Sequence, residues 1–259
     1  MKYFLLSLLV CFVYSVSAHP TMSSQLTALQ QAESFEVSGK IPPVCDGPSP
    51  SQISATYVIF KGDDSNKLSH ELQLTRFHDT VIYQRSPQTF EAWLSNGRYV
   101  RYFPMEKRSV SYRTGDLLSL NISYDLEQVF HLVSPEVRSV LKQSDDIKHS
   151  CLTIEHFSGE QHSEEVNLQW AASLELPYRL TIGQGEQQLT YQLIEAKSVT
   201  AEEFNALTTG YKDIDFADVG DSESDPFIAK MIHQGFIQHG NSGFYTSDGQ
   251  QMQGTSHSH

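Results

Sequence analysis

The sequence predicts an α+β fold in which an antiparallel sheet is covered on one face by amphipathic helices. Three observations carry this. Between Ile53 and Leu120, β-branched and aromatic runs are broken by turn chemistry about every 8–12 residues, the rhythm of an antiparallel meander. Residues 124–143 change to a helical period. From Cys151 the strand pattern resumes, for three or four more strands.

Taken in order, residues 19–50 are polar and end in "IPPVCDGPSPS", whose prolines and glycine mark a loop. Within them Gln25 to Ala32 is a short helix candidate, with Leu26, Leu29 and Ala32 on one side. "ISATYVIFK" is the first strand and "GDDSNK" a turn. "LSHELQLTRF" alternates, with Leu68, His70, Leu72, Leu74 and Arg76 on one face. "VIYQR", "TFEAWL", "RYVRYFP" and "RSVSYR" follow as strands, separated by "SPQ", "SNG" and "MEK", and "TGD" then leads into "LLSLNI". Asn96-Gly97 is a favoured hairpin turn.

Leu126, Val129, Phe130, Val133, Val137, Val140 and Leu141 share one helical face. Pro135 does not suit a helix interior, so Ser134-Pro135-Glu136 reads as the cap and first turn of a second helix. "CLTIEHF", "EEVNLQWAA", "YRLTIG" and "QLTYQLIEAKSV" return to strand, with "SGEQHS" as a turn. Thr200 and Glu203 then form a capping box for a short helix. Near the end Asp225 caps a helix with Pro226 at its first position and an apolar stripe of Phe227, Ile228, Met231 and Ile232. Gly235 or Gly240 ends it.

This organises the 259 residues into a signal peptide (1–18), an N-terminal segment (19–50), a main domain (51–207), a C-terminal acidic loop and helix (208–245) and a disordered tail (246–259). The signal reading rests on Lys2, the uncharged run Phe4–Tyr14 and the small residues of Val16-Ser17-Ala18, which place cleavage after Ala18. The apolar run is too short to span a bilayer. A net charge of −13 argues against nucleic acid or an anionic membrane surface as the main partner.

Cys11 leaves with the signal, so Cys45 and Cys151 remain. In an oxidising compartment the pair reads as one disulfide, with two free thiols or a metal site as alternatives. Its loop of about a hundred residues gives up to ~4–5 kcal/mol in the chain-entropy model.

No motif forces an enzymatic answer. Gly-x-Ser-x-Gly, Gly-x-Gly-x-x-Gly and His-Glu-x-x-His are absent. The acidic run Asp213 to Asp225 misses the EF-hand spacing and reads as a solvated loop before a helix, with calcium as the competing reading. Eleven scattered histidines read mainly as exposed polar residues, with His156 and His162 flanking a turn. Glu71, Glu91, Glu155 and Glu165 lie in strands and could face inward; spacing alone assigns them no role. Of the five cations in the hairpin segment Asn96–Asp116, three sit at or beside turns, where charges are ordinarily solvated. Which of Val100 and Tyr102, or Tyr99 and Phe103, face the core stays open at this level.

"LPYRLTIGQGEQQLTYQLIEAKSVTAEEF" and "GRYVRYFPMEKRSV", in their order along the chain, resemble the periplasmic LolA/LolB-like and RseB-like proteins over about residues 50–207. The resemblance implies a curved antiparallel sheet forming a half-open β-barrel with helices across its concave face, and a cavity for lipoprotein acyl chains or a sensor role in the envelope. The stretch "DFADVGDSESDPFIAKMIHQGF", residues 215–236, has no counterpart in it. A bent sheet with an apolar inner face must bury that face against helices or a greasy ligand.

The resulting expectation is a non-enzymatic, periplasmic or secreted binding protein for a hydrophobic ligand (a lipid or lipoprotein acyl chain) or an envelope partner, without a cofactor or bound metal. The candidate lining is Ile59, Leu72, Leu74, Phe90, Tyr102, Phe130 and Trp170. The alternative is an assembly factor docking through Phe227, Ile228, Met231 and Ile232, and a hydrolase with an unrecognised site ranks third.

Overall fold

The computed structural model describes residues 47–62, 69–144, 147–149, 152–237, 244–245 and 251–252. The expected signal segment, the Gln25–Ala32 helix and the Cys45–Cys151 disulfide lie outside the described residues. Most of the tail does too.

The meander forms as six strands: β1 (Gln52–Lys61), β2 (Ser69–Phe77), β3 (Thr80–Gln84), β4 (Phe90–Leu94), β5 (Tyr99–Phe103) and β6 (Arg108–Tyr112). Three helices follow: α1 (Thr114–Ser119), α2 (Leu126–His131) and α3 (Pro135–Val140). The short β7 (Lys142–Gln143) and β8 (Ile147–His149) lead to β9 (Leu152–Gln161), β10 (Glu164–Ala171), β11 (Leu176–Ile182) and β12 (Leu189–Ser198). The chain ends in α4 (Ala201–Thr208), β13 (Lys212–Asp215), α5 (Pro226–His233) and the hairpin β14 (Phe244–Tyr245) and β15 (Gln251–Met252).

β1 to β13 form one sheet of 13 strands in the order β13-β6-β5-β4-β3-β2-β1-β12-β11-β10-β9-β7, with β8 also on β9. Its two edges are different strands, so the sheet is curved but not closed, as a half-open barrel requires. Every pairing in it is antiparallel except β13 on β6, which is parallel. Register shifts at Thr56/Tyr57 and Gln169/Trp170 add the local bending that bulges supply.

Local signals explain most boundaries. The Ser134 hydroxyl accepts from Val137 N and starts α3 at Pro135. Thr200 and Glu203 close both halves of the capping box of α4. Asp225 accepts from Phe227 N and starts α5. Gly97 takes φ +82° in the β4–β5 turn, a conformation that suits glycine. Two boundaries differ from the sequence reading. "LLSLNI" contributes to helix α1, because Asp116 accepts from Arg113 N and seeds a turn there. "SGEQHS" is mostly strand: the reversal is confined to His162 and Ser163, both left-handed, and β9 runs on to Gln161.

Period-2 alternation sorts the side chains onto two faces. The inner face, which carries α1, α2 and α5, buries Ile53, Ala55, Tyr57, Leu72, Leu74, Val81, Trp93, Tyr99, Phe103, Val110 and Tyr112. A second inner cluster joins Val166, Leu168, Trp170 and Leu180 to Val133 and Leu141. On the outer face Ile82, Phe90, Ala92 and Val100 pack under Phe204, Leu207 and Tyr211. The described residues all belong to one compact unit, and β13 and α5 join its sheet and core directly. No helix among the described residues is long and apolar enough to cross a membrane.

Candidate functional site

The inner face is not completely filled. A cleft of about 300 Å³ lies between β3–β4 on one wall and β11–β12 on the other, under α2. Trp93, Tyr124, Val129, Leu132, Leu180, Ile182 and Tyr191 supply its apolar and aromatic surface; Tyr83, Arg85, Glu91 and Gln128 supply polar groups. Its size is at the low end of small-molecule sites, roughly 300–1,000 Å³.

The roof is lightly held. α2 has no fully buried side chain; Val129 and Phe130 pack partly against the core. Two hydrogen bonds tie its backbone down, and His131 Nε2 stands 3.5 Å from Glu175 Oε2. The Tyr83 hydroxyl donates to the Val129 carbonyl, and Arg76 Nη1 donates to the Phe130 carbonyl at 3.0 Å. Arg76 is itself buried, and its Nη2 and Nε reach the carbonyls of Leu174 (2.7 Å) and Pro50. One guanidinium thus joins α2, the β10–β11 turn and the approach to β1. Burial lowers its pKa, with Glu175 partly opposing.

A second buried guanidinium, Arg101, stands behind Glu91 of the cleft lining. Nη2 donates to Glu91 Oε1 at 3.0 Å, Nε to the Tyr99 hydroxyl at 3.0 Å and Nη1 to the Phe236 carbonyl at 2.8 Å. Burial works against its charge, and Tyr99 and Glu91 outweigh that, so its pKa stands above the ordinary arginine value. Burial also pushes the nearby Tyr112 up to about 12.

The basic hairpin turns out to have an anionic partner in the same chain. Arg98 pairs with Asp213 (3.3 Å), Arg113 with Asp215 and Arg108 with Asp225 (2.8 Å). Lys107 stands 5.2 Å from the centre of the Tyr211 ring, and Glu106 pairs with Lys230. Asp213 also accepts from Ser109 (2.7 Å) and Ser111 (2.8 Å) on the strand that β13 joins. The acidic run does precede a helix capped by Asp225, and Asp213, Asp218, Asp221 and Glu223 are exposed, as read; what the reading missed is that opposite charges and a parallel strand bring this run against the basic hairpin. Among the described residues no group of three or more His, Cys, Asp or Glu could hold a metal.

A separate, more polar groove of about 490 Å³ is lined by Glu127, His131, Arg138, Glu155, Trp170 and Glu175, among others. Arg138 lies 4.4 Å from the centre of the Trp170 ring.

The proposed lining residues scatter. Leu72 and Leu74 are sealed in the inner core, with Ile59 and Phe130 partly buried against it. Trp170 is in the second inner cluster and borders the polar groove. Phe90 and Tyr102 stack on each other on the opposite face, 4.5 Å between centroids. None of the seven lines the cleft. Phe227, Ile228 and Met231 are buried in the inner core, and Ile232 packs partly against it. The strand residues that do line the cleft carry a period-2 signal: Glu91 shares a face with Trp93 on β4, and Arg101, which pairs with Glu91, shares the matching face of β5 with Tyr99 and Phe103. That signal needed an absolute face assignment, which the strand pattern alone does not supply.

No family model matches the chain, and no curated protein matches it. Solved structures similar to it include PNGF-II, at TM-score 0.38 and 9% identity, covering 63% of this chain and 30% of that one. The crystal structure of MucB is similar at TM-score 0.36 and 12% identity, over 65% of this chain and 62% of that one. An outer membrane lipoprotein-sorting protein domain from Vibrio parahaemolyticus follows at TM-score 0.29 and 10% identity, over 61% and 91%. The chain therefore spans under a third of PNGF-II and less than two thirds of MucB. The resemblance to LolA-like and RseB-like proteins is diffuse, and no ligand or residue role transfers through it.

Proposed function

We propose that the protein is a non-enzymatic binding protein, periplasmic or secreted, whose inner-face cleft receives a hydrophobic ligand such as a lipid or a lipoprotein acyl chain. The observation that carries this reading is the cleft: apolar and aromatic on most of its walls, set in an open-edged curved sheet, and roofed by a helix with no fully buried side chain. Burial of a chain against such walls contributes about 0.8 kcal/mol per CH₂. Lifting α2 would lengthen the apolar surface toward Phe130 and the core beneath it. The N-terminal apolar run supports export. Docking of an envelope partner through Phe227, Ile228 and Met231 is less favoured, because these side chains are already spent on the core.

The test is native mass spectrometry of the purified protein, followed by delipidation and titration with acyl-chain probes. A bound lipid mass, or saturable probe binding after delipidation, is the expected result. A protein that carries no lipid and binds no apolar probe overturns the reading.

A further inference from the structure

The cleft is not uniformly greasy, and its one buried charge has a definite geometry. Glu91 lies on β4 with its side chain 5% exposed, yet it lines the cleft. Its Oε1 is taken by Arg101. Its Oε2 accepts no hydrogen bond from any described residue, and it is not among the buried atoms sealed away from solvent without a partner. Its residual exposure is therefore toward the cleft. A carboxylate oxygen with open lone pairs in a poorly hydrated site is costly unless a donor meets it.

Charge narrows the donor. Arg101 already neutralises Glu91 and is itself locked by Tyr99 and the Phe236 carbonyl, so the pair presents an acceptor without a net negative charge. Arg85, 5.5 Å from the centre of the Tyr83 ring, adds a positive charge to the same lining. A cationic head group would be repelled there. An acidic head group at the floor would meet Glu91 carboxylate against carboxylate.

Building on the reading of the cleft as an apolar-ligand site, we propose that it selects an amphipathic ligand whose body lies on Trp93, Val129, Leu132 and Leu180 and whose polar end is a neutral hydrogen-bond donor, a hydroxyl or amide, received by Glu91 Oε2. Glu91 is then the residue that sets head-group specificity, and Arg101 is the positioning residue behind it.

The chain has two tryptophans, and only Trp93 lines the cleft, so its fluorescence in a Trp170→Phe background reports occupancy. Three probes with the same ten-carbon chain are compared: monodecanoylglycerol, which brings hydroxyl donors; methyl decanoate, which brings acceptors only; and decylamine, which brings a cation. The expected order places the monoacylglycerol about tenfold tighter than the ester, the size of one hydrogen bond to a charged acceptor, with the amine weakest. Glu91→Gln keeps an oxygen for Arg101 and turns an amide NH₂ toward the cleft, so the preference shifts to the ester. Equal affinity for monoacylglycerol and ester in the Glu91 protein, or tightest binding of the amine, overturns the head-group proposal while leaving the apolar site standing. Failure of all three probes to bind overturns the site itself. The comparison among probes on the Glu91 protein decides the matter even if Glu91→Gln fails to fold.

Discussion

Arg108 on β6 and Asp225 at the cap of α5 meet at 2.8 Å, 117 positions apart in sequence. The same carboxylate accepts from Phe227 N and so starts the helix whose stripe fills the inner core. One side chain therefore fixes both the register of the C-terminal segment against the hairpin and the start of α5.

The hydrogen bond from Arg108, then that from Phe227 N, holds the Asp225 carboxyl below its ordinary range. A depressed carboxyl contributes stability that is present above its unfolded-state pKa, about 3.9, and lost as pH falls through the lower folded value. The pairing of α5 is therefore expected to persist at neutral pH and weaken below about pH 4. Hydrogen exchange of residues 226–233 measured down a pH series, at low and high salt, checks this. Exchange that is flat across the series would contradict it.

Two substitutions separate the roles of Asp225. Asp225→Asn keeps a good capping side chain and loses the charge, so the expected cost is a few tenths to about 1 kcal/mol and is reduced by salt. Asp225→Ala also loses the cap, with a further cost of about 1 kcal/mol. Urea melts of the two variants at two salt concentrations measure both terms.

Arg101 is a larger effect. Its side chain is 1% exposed, and Arg101→Met leaves Glu91 as an uncompensated buried charge, at an expected cost of about 3–5 kcal/mol. Glu91→Leu combined with Arg101→Met removes both charges and should recover much of the loss. A double-mutant cycle by chemical denaturation is the measurement. A double variant no better than Arg101→Met would show that the contacts to Tyr99 and Phe236 dominate instead.

Arg76→Ala deprives three backbone carbonyls in three separate segments of a donor at once. The expected loss is about 2 kcal/mol or more, together with faster exchange in residues 126–131, because the backbone of α2 then keeps the Tyr83 tie and loses the Arg76 one. Global melting and local exchange should respond together. Global loss with α2 unchanged would place the clamp's weight on the β10–β11 turn.

Gly97 has φ +82°, and a Cβ there would come within 2.6 Å of the Tyr124 hydroxyl and 2.8 Å of Thr114 Oγ1. Gly97→Ala is therefore expected to cost about 1–3 kcal/mol from backbone strain and contact together. It should also displace Tyr124, which lines the cleft and whose hydroxyl donates to the Gly97 carbonyl at 3.2 Å. Thermal melting measures the first effect and Trp93 fluorescence the second, since the two rings are 4.8 Å apart.

Local chemistry was readable along the chain. The caps at Ser134, Thr200 and Asp225 and the turn at Asn96-Gly97 depend on neighbours within four residues, the meander rhythm on turns spaced about 8–12 residues apart, and each appears as read. The strand face of Leu72, Leu74 and Arg76 was also readable, because alternation is local. The lining of the cleft was not. Alternation groups Phe90 with Ala92, and Glu91 with Trp93, and leaves open which group turns inward; the buried face could be either, because both are apolar enough. The outer face is covered by α4 and Tyr211, so Phe90 and Tyr102 found burial there rather than around a ligand.

The sequence by itself determined the alternation of strands and helices, the starts of α3, α4 and α5, and the acidic balance of the chain, all properties of composition or of short spacings. The tertiary structure alone decided that the acidic run closes on the basic hairpin, that Arg76 and Arg101 are interior clamps rather than surface charges, and that Glu91 faces a cleft. Those outcomes rest on contacts between residues 10 to 135 positions apart. Their energies depend on desolvation and on which of two similar faces is covered, and neither quantity exists until the sheet has curved and its helices have chosen a side.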